Sequence, residues 1–243
     1  MNATIEFRSA SYQVDSGRTI IDDLSFEIAP GESVVLLGRS GSGKTTTLKL
    51  INRLLEPSSG QVLVEGQRTD DWDPIRLRRH IGYVIQEVGL FPHFTVDQNV
   101  ALVPSLEGWG ADRTRARVRE MLELVGLDPG DFGHRYPDEL SGGQRQRVGV
   151  ARALAASPSV VLLDEPFGAL DPITRGEIRK EFRVLQKRLH KTMVFVTHDV
   201  AEALALADRI GLMSDGKLIA LVPPEEFRAL DQPEAQAFLR SLE

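Results

Sequence analysis

The run Gly38-Arg39-Ser40-Gly41-Ser42-Gly43-Lys44-Thr45 decides the reading of this chain. It follows the apolar run Val34 to Leu37 and precedes Thr46-Thr47-Leu48-Lys49-Leu50-Ile51, so its context is strand, glycine turn, helix. Gly38, Gly41 and Gly43 let the backbone turn tightly, with no Cβ in the way of successive N–H groups aimed at anionic oxygens. The positive end of the following helix adds to that field. Lys44 places a mobile ammonium near the outer phosphates of a nucleotide, and the Thr45 hydroxyl can ligate Mg2+, which prefers oxygen ligands. Arg39, Ser40, Ser42 and Thr46 complete the candidate phosphate pocket.

Composition bounds the rest. The 243 residues suit one large α/β domain or two modest ones, enough for a full core in either case. A formal charge of -6 argues against a nucleic-acid partner, which needs a basic face. The absence of cysteine excludes disulfides and thiol chemistry and fits a reducing cytosolic setting. The start, MNATIEFRSA, lacks the basic and apolar regions of a signal peptide. No apolar run approaches the roughly 18 to 20 residues that span a bilayer, so a chain soluble on its own is expected.

Two strand patterns meet in the sequence. Ile5 to Phe7, Leu24 to Ile28 and Gln61 to Glu65 alternate apolar and polar residues, as half-buried antiparallel strands do. Val34 to Leu37, Val160 to Leu163 and Thr192 to Val196 are continuous apolar runs, the signature of parallel strands buried on both faces. Arg113 to Val125 and Ser141 to Ala156 read as helices, ended by Gly126 and by Ser157-Pro158. The stretch from Glu87 to Ser157 reads as a helical insertion into the core.

Each buried strand feeds a polar group. Val34 to Leu37 leads to the glycine loop, Val160 to Leu163 to Asp164-Glu165, and Thr192 to Val196 to Thr197-His198-Asp199. In open α/β sheets ligands bind beyond the carboxyl ends of the strands, so the three are expected to converge on one nucleotide. Asp164 would hold Mg2+ with Thr45, through water. Glu165 would orient the attacking water and accept its proton, and His198 would meet the terminal phosphate. His80, His93, His134 and His190 show no metal-ligand spacing and read as structural. Leu140-Ser141-Gly142-Gly143-Gln144 sets glycines and a hydroxyl at a second helix start, a second anion site without a lysine. An ordinary N-cap would account for Ser141 there, but not for the paired glycines or Gln144.

Tyr12, the loop at 38 to 45, Gln86, Leu140 to Gln144, the strand ending in Asp164-Glu165, Ala169-Leu170-Asp171 and His198 occur in this order along the chain. The chain thereby resembles the ATP-binding cassette transporter ATPases over essentially its whole length. The resemblance implies an α/β P-loop NTPase core with a mainly parallel sheet, an N-terminal antiparallel β-subdomain and an inserted helical subdomain. It implies one nucleotide-binding domain over 1–243, with the β-subdomain and start of the core in 1–86, the helical subdomain in 87–157 and the rest of the core in 158–243. Two cassettes would stack head to tail, so that Ser141, Gly142, Gly143 and Gln144 act on ATP held by the partner copy. Tyr12 looks like the residue that stacks on adenine, Gln86 like the glutamine that touches Mg2+, and Asp171 like a dimer-contact aspartate.

Transport would then need separate transmembrane permease subunits, docked near residues 88 to 109, with a substrate-binding protein acting indirectly. The cassette would sit peripherally on the cytoplasmic side of the cytoplasmic membrane. INRLLEP at 51 to 57, IGYVIQ at 81 to 86, GLFPH at 89 to 93, VALVP at 100 to 104 and DPITR at 171 to 175 are similar to importers of quaternary-amine osmoprotectants such as glycine betaine, choline and proline betaine. Import of another small solute, such as an amino acid, is the alternative. Many such ATPases carry C-terminal CBS modules, which this sequence is expected to lack. A cassette ATPase of DNA repair or translation would call for tandem cassettes or coiled-coil insertions, and a small-molecule kinase would leave the sequence at 140 to 144 unexplained.

Overall fold

The computed structural model describes residues 3–86, 88–168 and 170–242. Glu87, where the helical insertion was expected to begin, and Ala169 of Ala169-Leu170-Asp171 lie outside the described residues. The chain opens with β1 (Ile5–Gln13), β2 (Thr19–Ile28), β3 (Ser33–Leu37), α1 (Lys44–Ile51), β4 (Ser59–Val64), β5 (Gln67–Arg68) and α2 (Pro74–His80). β6 (Ile81–Val84), α3 (Val96–Leu106), α4 (Ala111–Leu124), α5 (Pro129–Phe132), α6 (Gly142–Leu154), β7 (Val160–Asp164) and α7 (Pro172–Leu189) follow. β8 (Thr192–Thr197), α8 (Val200–Leu206), β9 (Arg209–Ser214), β10 (Lys217–Val222), α9 (Pro224–Arg228) and α10 (Pro233–Leu239) complete it. Two compact units emerge: residues up to Arg78 together with those from His190 onward, and Arg79–Leu189.

The first unit holds two kinds of sheet. β2, β1, β4 and β5 form an antiparallel sheet in that order, with Phe7 stacked on Phe26 at 4.7 Å between ring centres. The alternation of β1 breaks after Phe7, where Ser9 takes φ 47° and the register against β2 slips; this bulge is why the pattern alone stops at Phe7. β3 lies parallel between β8 and β9, and β10 returns antiparallel along β9. All five residues of β3 and all six of β8 are buried, as their unbroken apolar runs require. α8 packs against β3 and β8, and α1 against β8 and β4.

In the second unit β6 and β7 pair in parallel, Val84 opposite Leu163, with α6 packed on β6. α3, α4 and α6 pack on one another, and α7 on α6. α4 keeps Val118, Met121 and Leu122 inward, while α7 buries Ile178, Phe182 and Leu185 and leaves Ile173 and Val184 exposed. Among the described residues no helix is long and apolar enough to cross a membrane.

Candidate functional site

The glycine loop leaves the end of β3 and enters α1, and Gly38 and Gly43 have distinct reasons to be there. A Cβ on Gly38 would stand 2.4 Å from the Met213 carbonyl oxygen and 2.6 Å from Ser42 Oγ. Gly43 is the N-cap of α1 at φ 99°, and a Cβ there would meet Ile21 Cδ1 at 2.6 Å. Lys44 is only 5% exposed, and its Nζ donates to the Gly38 and Arg39 carbonyls at 2.7 and 2.8 Å. The lysine thus arches back over the loop it follows. Ser42 Oγ is buried without a hydrogen-bond partner among the described residues, an orphan that an anionic oxygen seated in the loop would satisfy. Thr45 and Thr46 are half-buried, while Arg39 and Ser40 are exposed. Arg39 Nε lies 3.3 Å from Glu234 Oε2 on α10. Tyr12 is half-buried on β1 opposite Ile21, the residue that packs at Gly43, so its strand runs beside the loop.

His198 leaves the neighbouring strand end. Leu37 and Thr197 are register partners, so Gly38 and His198 start from the same edge of adjacent parallel strands. His198 is exposed, whereas Thr197 before it is buried and Asp199 after it is half-buried. Asp199 caps α8, its side chain accepting from the Ala201 and Glu202 amides.

The second unit brings Gln86, Asp164, Glu165 and Tyr83 together at the ends of β6 and β7. Gln86 Nε2 donates to Glu165 Oε2 at 3.0 Å. Asp164 is 5% exposed, and the Tyr83 hydroxyl donates to its Oδ2 at 3.4 Å. Burial drives the Tyr83 phenol well above its ordinary pKa, with the charge of Asp164 and their hydrogen bond adding to it, so Tyr83 stays a donor. Glu165 takes φ 45°, a strained value for a side-chain-bearing residue. Asp171 is exposed, and its Oδ1 accepts from the Ile173 and Thr174 amides at 3.1 Å each, holding the first turn of α7. Hydrogen bonding to Thr174 lowers its pKa.

Ser141 to Gln144 has a fuller local explanation than sequence suggests. Ser141 Oγ accepts from the Gln144 amide and the Gln144 side chain accepts from the Ser141 amide, a complete capping box. A Cβ on Gly143 would meet Ile178 Cδ1 at 3.0 Å and Thr174 Cγ2 at 3.2 Å, so this glycine admits α7. An N-cap therefore accounts for Gln144 as well as Ser141, and helix packing for Gly143. Ser141 and Gly142 remain exposed.

Sequence reasoning passed over the residues that hold these loops. Arg152 of α6 donates to the carbonyls of Val88 and Gly89, both at 2.7 Å, and a Cβ on Gly149 would meet Val88 Cγ1 at 2.5 Å. Arg145 Nη1 donates to Leu140 O at 2.7 Å, and Arg175 Nη2 to Leu170 O at 3.0 Å. Asn99, fully buried, binds Phe91 N at 2.8 Å and the Phe94 and Thr95 carbonyls, shaping the turn that leaves Phe91 46% exposed. Arginines on amphipathic helices carry no signal of the carbonyls they will meet. The Thr95-to-Gln98 capping box of α3 did carry one, in the same spacing as Ser141 to Gln144.

The residue types read as Mg2+ ligands fit that ion one by one: the Thr45 hydroxyl, the buried Asp164 carboxylate and the Gln86 amide each offer a hard oxygen and no soft sulfur.

A model of the ABC transporter family matches residues 21–168. The choline transport ATP-binding protein OpuBA of Bacillus subtilis is 52% identical over 92% of this chain, which spans 58% of that relative. The chain thus covers little more than half the length of such relatives. The glycine betaine uptake system ATP-binding protein YehX of Escherichia coli is 48% identical over 88% of this chain and 69% of its own length. Among solved structures, the dimeric post-hydrolysis state of the ATP-binding cassette MJ0796 with ADP and Pi is 33% identical, with TM-score 0.79 over 90% of this chain and 98% of that one. Cassette cbiO1 of Clostridium perfringens, part of the transporter complex cbiONQ, is 28% identical with TM-score 0.85 over 100% of both chains. Matched in family, relatives and fold, the chain belongs to the ABC transporter family as an ATP-binding cassette.

Proposed function

We propose that the chain is the ATP-hydrolysing subunit of an importer for quaternary-amine osmoprotectants, working with Mg2+ as a head-to-tail dimer on separate permease subunits. The observation that carries the reading is the glycine loop, built over Lys44 and opening α1 beside the strand end that presents His198. In this reading the loop amides and Lys44 hold the phosphates, and Tyr12 stacks on adenine. Thr45, Gln86 and Asp164 are the residues that would hold Mg2+, which would supply positive charge to the phosphate oxygens. Glu165, oriented by the Gln86 amide, accepts the proton of the attacking water, while His198 meets the charge that develops on the terminal phosphate. Ser141 to Gln144 and Asp171 act on the nucleotide and surface of the partner cassette. Support for a dimer comes from the MJ0796 structure, and for a membrane partner from the complex to which cbiO1 belongs.

The permease docks on the segment after Gln86, on the cytoplasmic side of the membrane, where Phe91 is exposed. The cargo class follows the relatives, an ATP-binding protein of choline transport and one of a glycine betaine uptake system. The test is ATPase activity of the complex reconstituted with its permease and binding protein, titrated with glycine betaine, choline, proline betaine, proline and amino acids. Stimulation by quaternary amines is expected. Stimulation by amino acids alone would overturn the cargo assignment.

A further inference from the structure

We infer that Glu202 is a positioning residue for His198, acting through the hydroxyl of Thr197. The inference rests on the reading of His198 as the group that meets the terminal phosphate. Thr197 and Glu202 are 3% and 4% exposed, so their contact is shielded from water. Thr197 Oγ1 donates to Glu202 Oε2 at 2.6 Å and accepts from the Asp199 amide at 3.0 Å. A hydroxyl has one proton, and here it goes to the Glu202 carboxyl. Glu202 therefore fixes the polarity of the hydroxyl, turning its lone pairs toward Asp199 N–H.

The consequence falls on the residue in between. Thr197 and Asp199 flank His198, and both are pinned through one hydroxyl while the imidazole stays exposed. Asp199 followed three residues later by Glu202 has the spacing of a capping box, in which the glutamate would reach the N-cap amide directly. Here the Asp199 amide goes to Thr197 and the glutamate to the hydroxyl, so the box is widened to take in the end of β8. A buried carboxylate is costly to keep. A glutamine in its place could also donate, and would leave the hydroxyl free to turn round.

The test is Mg-ATP turnover of the full chain for Thr197→Val, Thr197→Ser, Glu202→Gln and His198→Ala, alone and with His198→Ala added. Thr197→Val should lower kcat about tenfold while KM for ATP changes less than about twofold, since a small misplacement of a reacting group costs turnover more than binding. Thr197→Ser should restore kcat to within about twofold of the unmodified chain. In the His198→Ala background Thr197→Val should cost less than about a further twofold, because the group it positions is gone. Loss of equal size in both backgrounds, or full turnover in Thr197→Val, overturns the inference. Should Thr197→Val not fold, Glu202→Gln carries the test: a loss of about threefold that vanishes with His198→Ala is expected, and a loss that persists overturns it. Full turnover in His198→Ala itself would instead remove the underlying reading of His198.

Discussion

Gly38→Ala separates a close approach from a special backbone angle. The new Cβ would stand 2.4 Å from the Met213 carbonyl oxygen, well inside the 3.0 Å that real Cβ atoms keep, and the obstacle is backbone of β9 rather than a pliant side-chain tip. Either the loop or the strand must move by roughly half an ångström, an overpacking cost of about 1–3 kcal/mol. For a chain of this size that is a fall in Tm of about 4–8 °C, taking 2 kcal/mol as the centre. Gly41→Ala is the control. Gly41 has φ 82° and nothing within 4 Å of the added carbon, so only left-handed strain of about 1 kcal/mol applies, a fall of about 2–4 °C. Thermal melts by circular dichroism, read beside ATP titrations, check both. A Gly38→Ala variant as stable as the unmodified chain, or more stable than Gly41→Ala, would refute the packing argument.

Lys44→Ala should weaken ATP binding about 10- to 100-fold by calorimetry, the value of a charge-assisted contact, and unchanged affinity would remove the loop assignment. Ser141→Arg should leave ATP binding by the monomer intact yet abolish turnover; losing the capping box costs about 1 kcal/mol as well, so the melt must be read with the kinetics. Burial raises the pKa of Asp97, against the charges of His134 and Arg119, which lower it. A carboxyl with a raised folded pKa destabilises the fold above that pKa, and the penalty disappears as pH falls through it. Asp97→Asn should therefore be the more stable form at pH 7 by urea unfolding, with the advantage shrinking toward pH 4.

The parts of the fold legible in the sequence are those where one physical demand dominates. β3, β7 and β8 are buried on both faces, so their apolar runs marked them to within a residue. The glycine loop was legible because it needs both tight turns and close approach. α7 escaped notice because only Ile178, Phe182 and Leu185 of its 18 residues are buried. The β9–β10 hairpin was missed despite a clear signal: Asp215-Gly216, at φ 49° and 78°, is the turn that joins two strands in this geometry. Of the candidate site, the residues whose types carry chemistry could be named from the sequence, while Tyr83, which donates to Asp164, and the Thr197–Glu202 hydrogen bond could not. The two residues of each pair lie on different elements, and the one local spacing, Asp199 to Glu202, announces a capping box rather than the contacts made.

The central claim is a nucleotide-driven dimer with its chemistry at Glu165. It is tested most directly by the mass of Glu165→Gln in solution, measured by light scattering with Mg-ATP and with Mg-ADP. The account predicts a doubled mass with ATP, the monomer mass with ADP, and turnover close to nil. A variant that binds ATP yet stays monomeric, or hydrolyses it at the unmodified rate, would contradict the account.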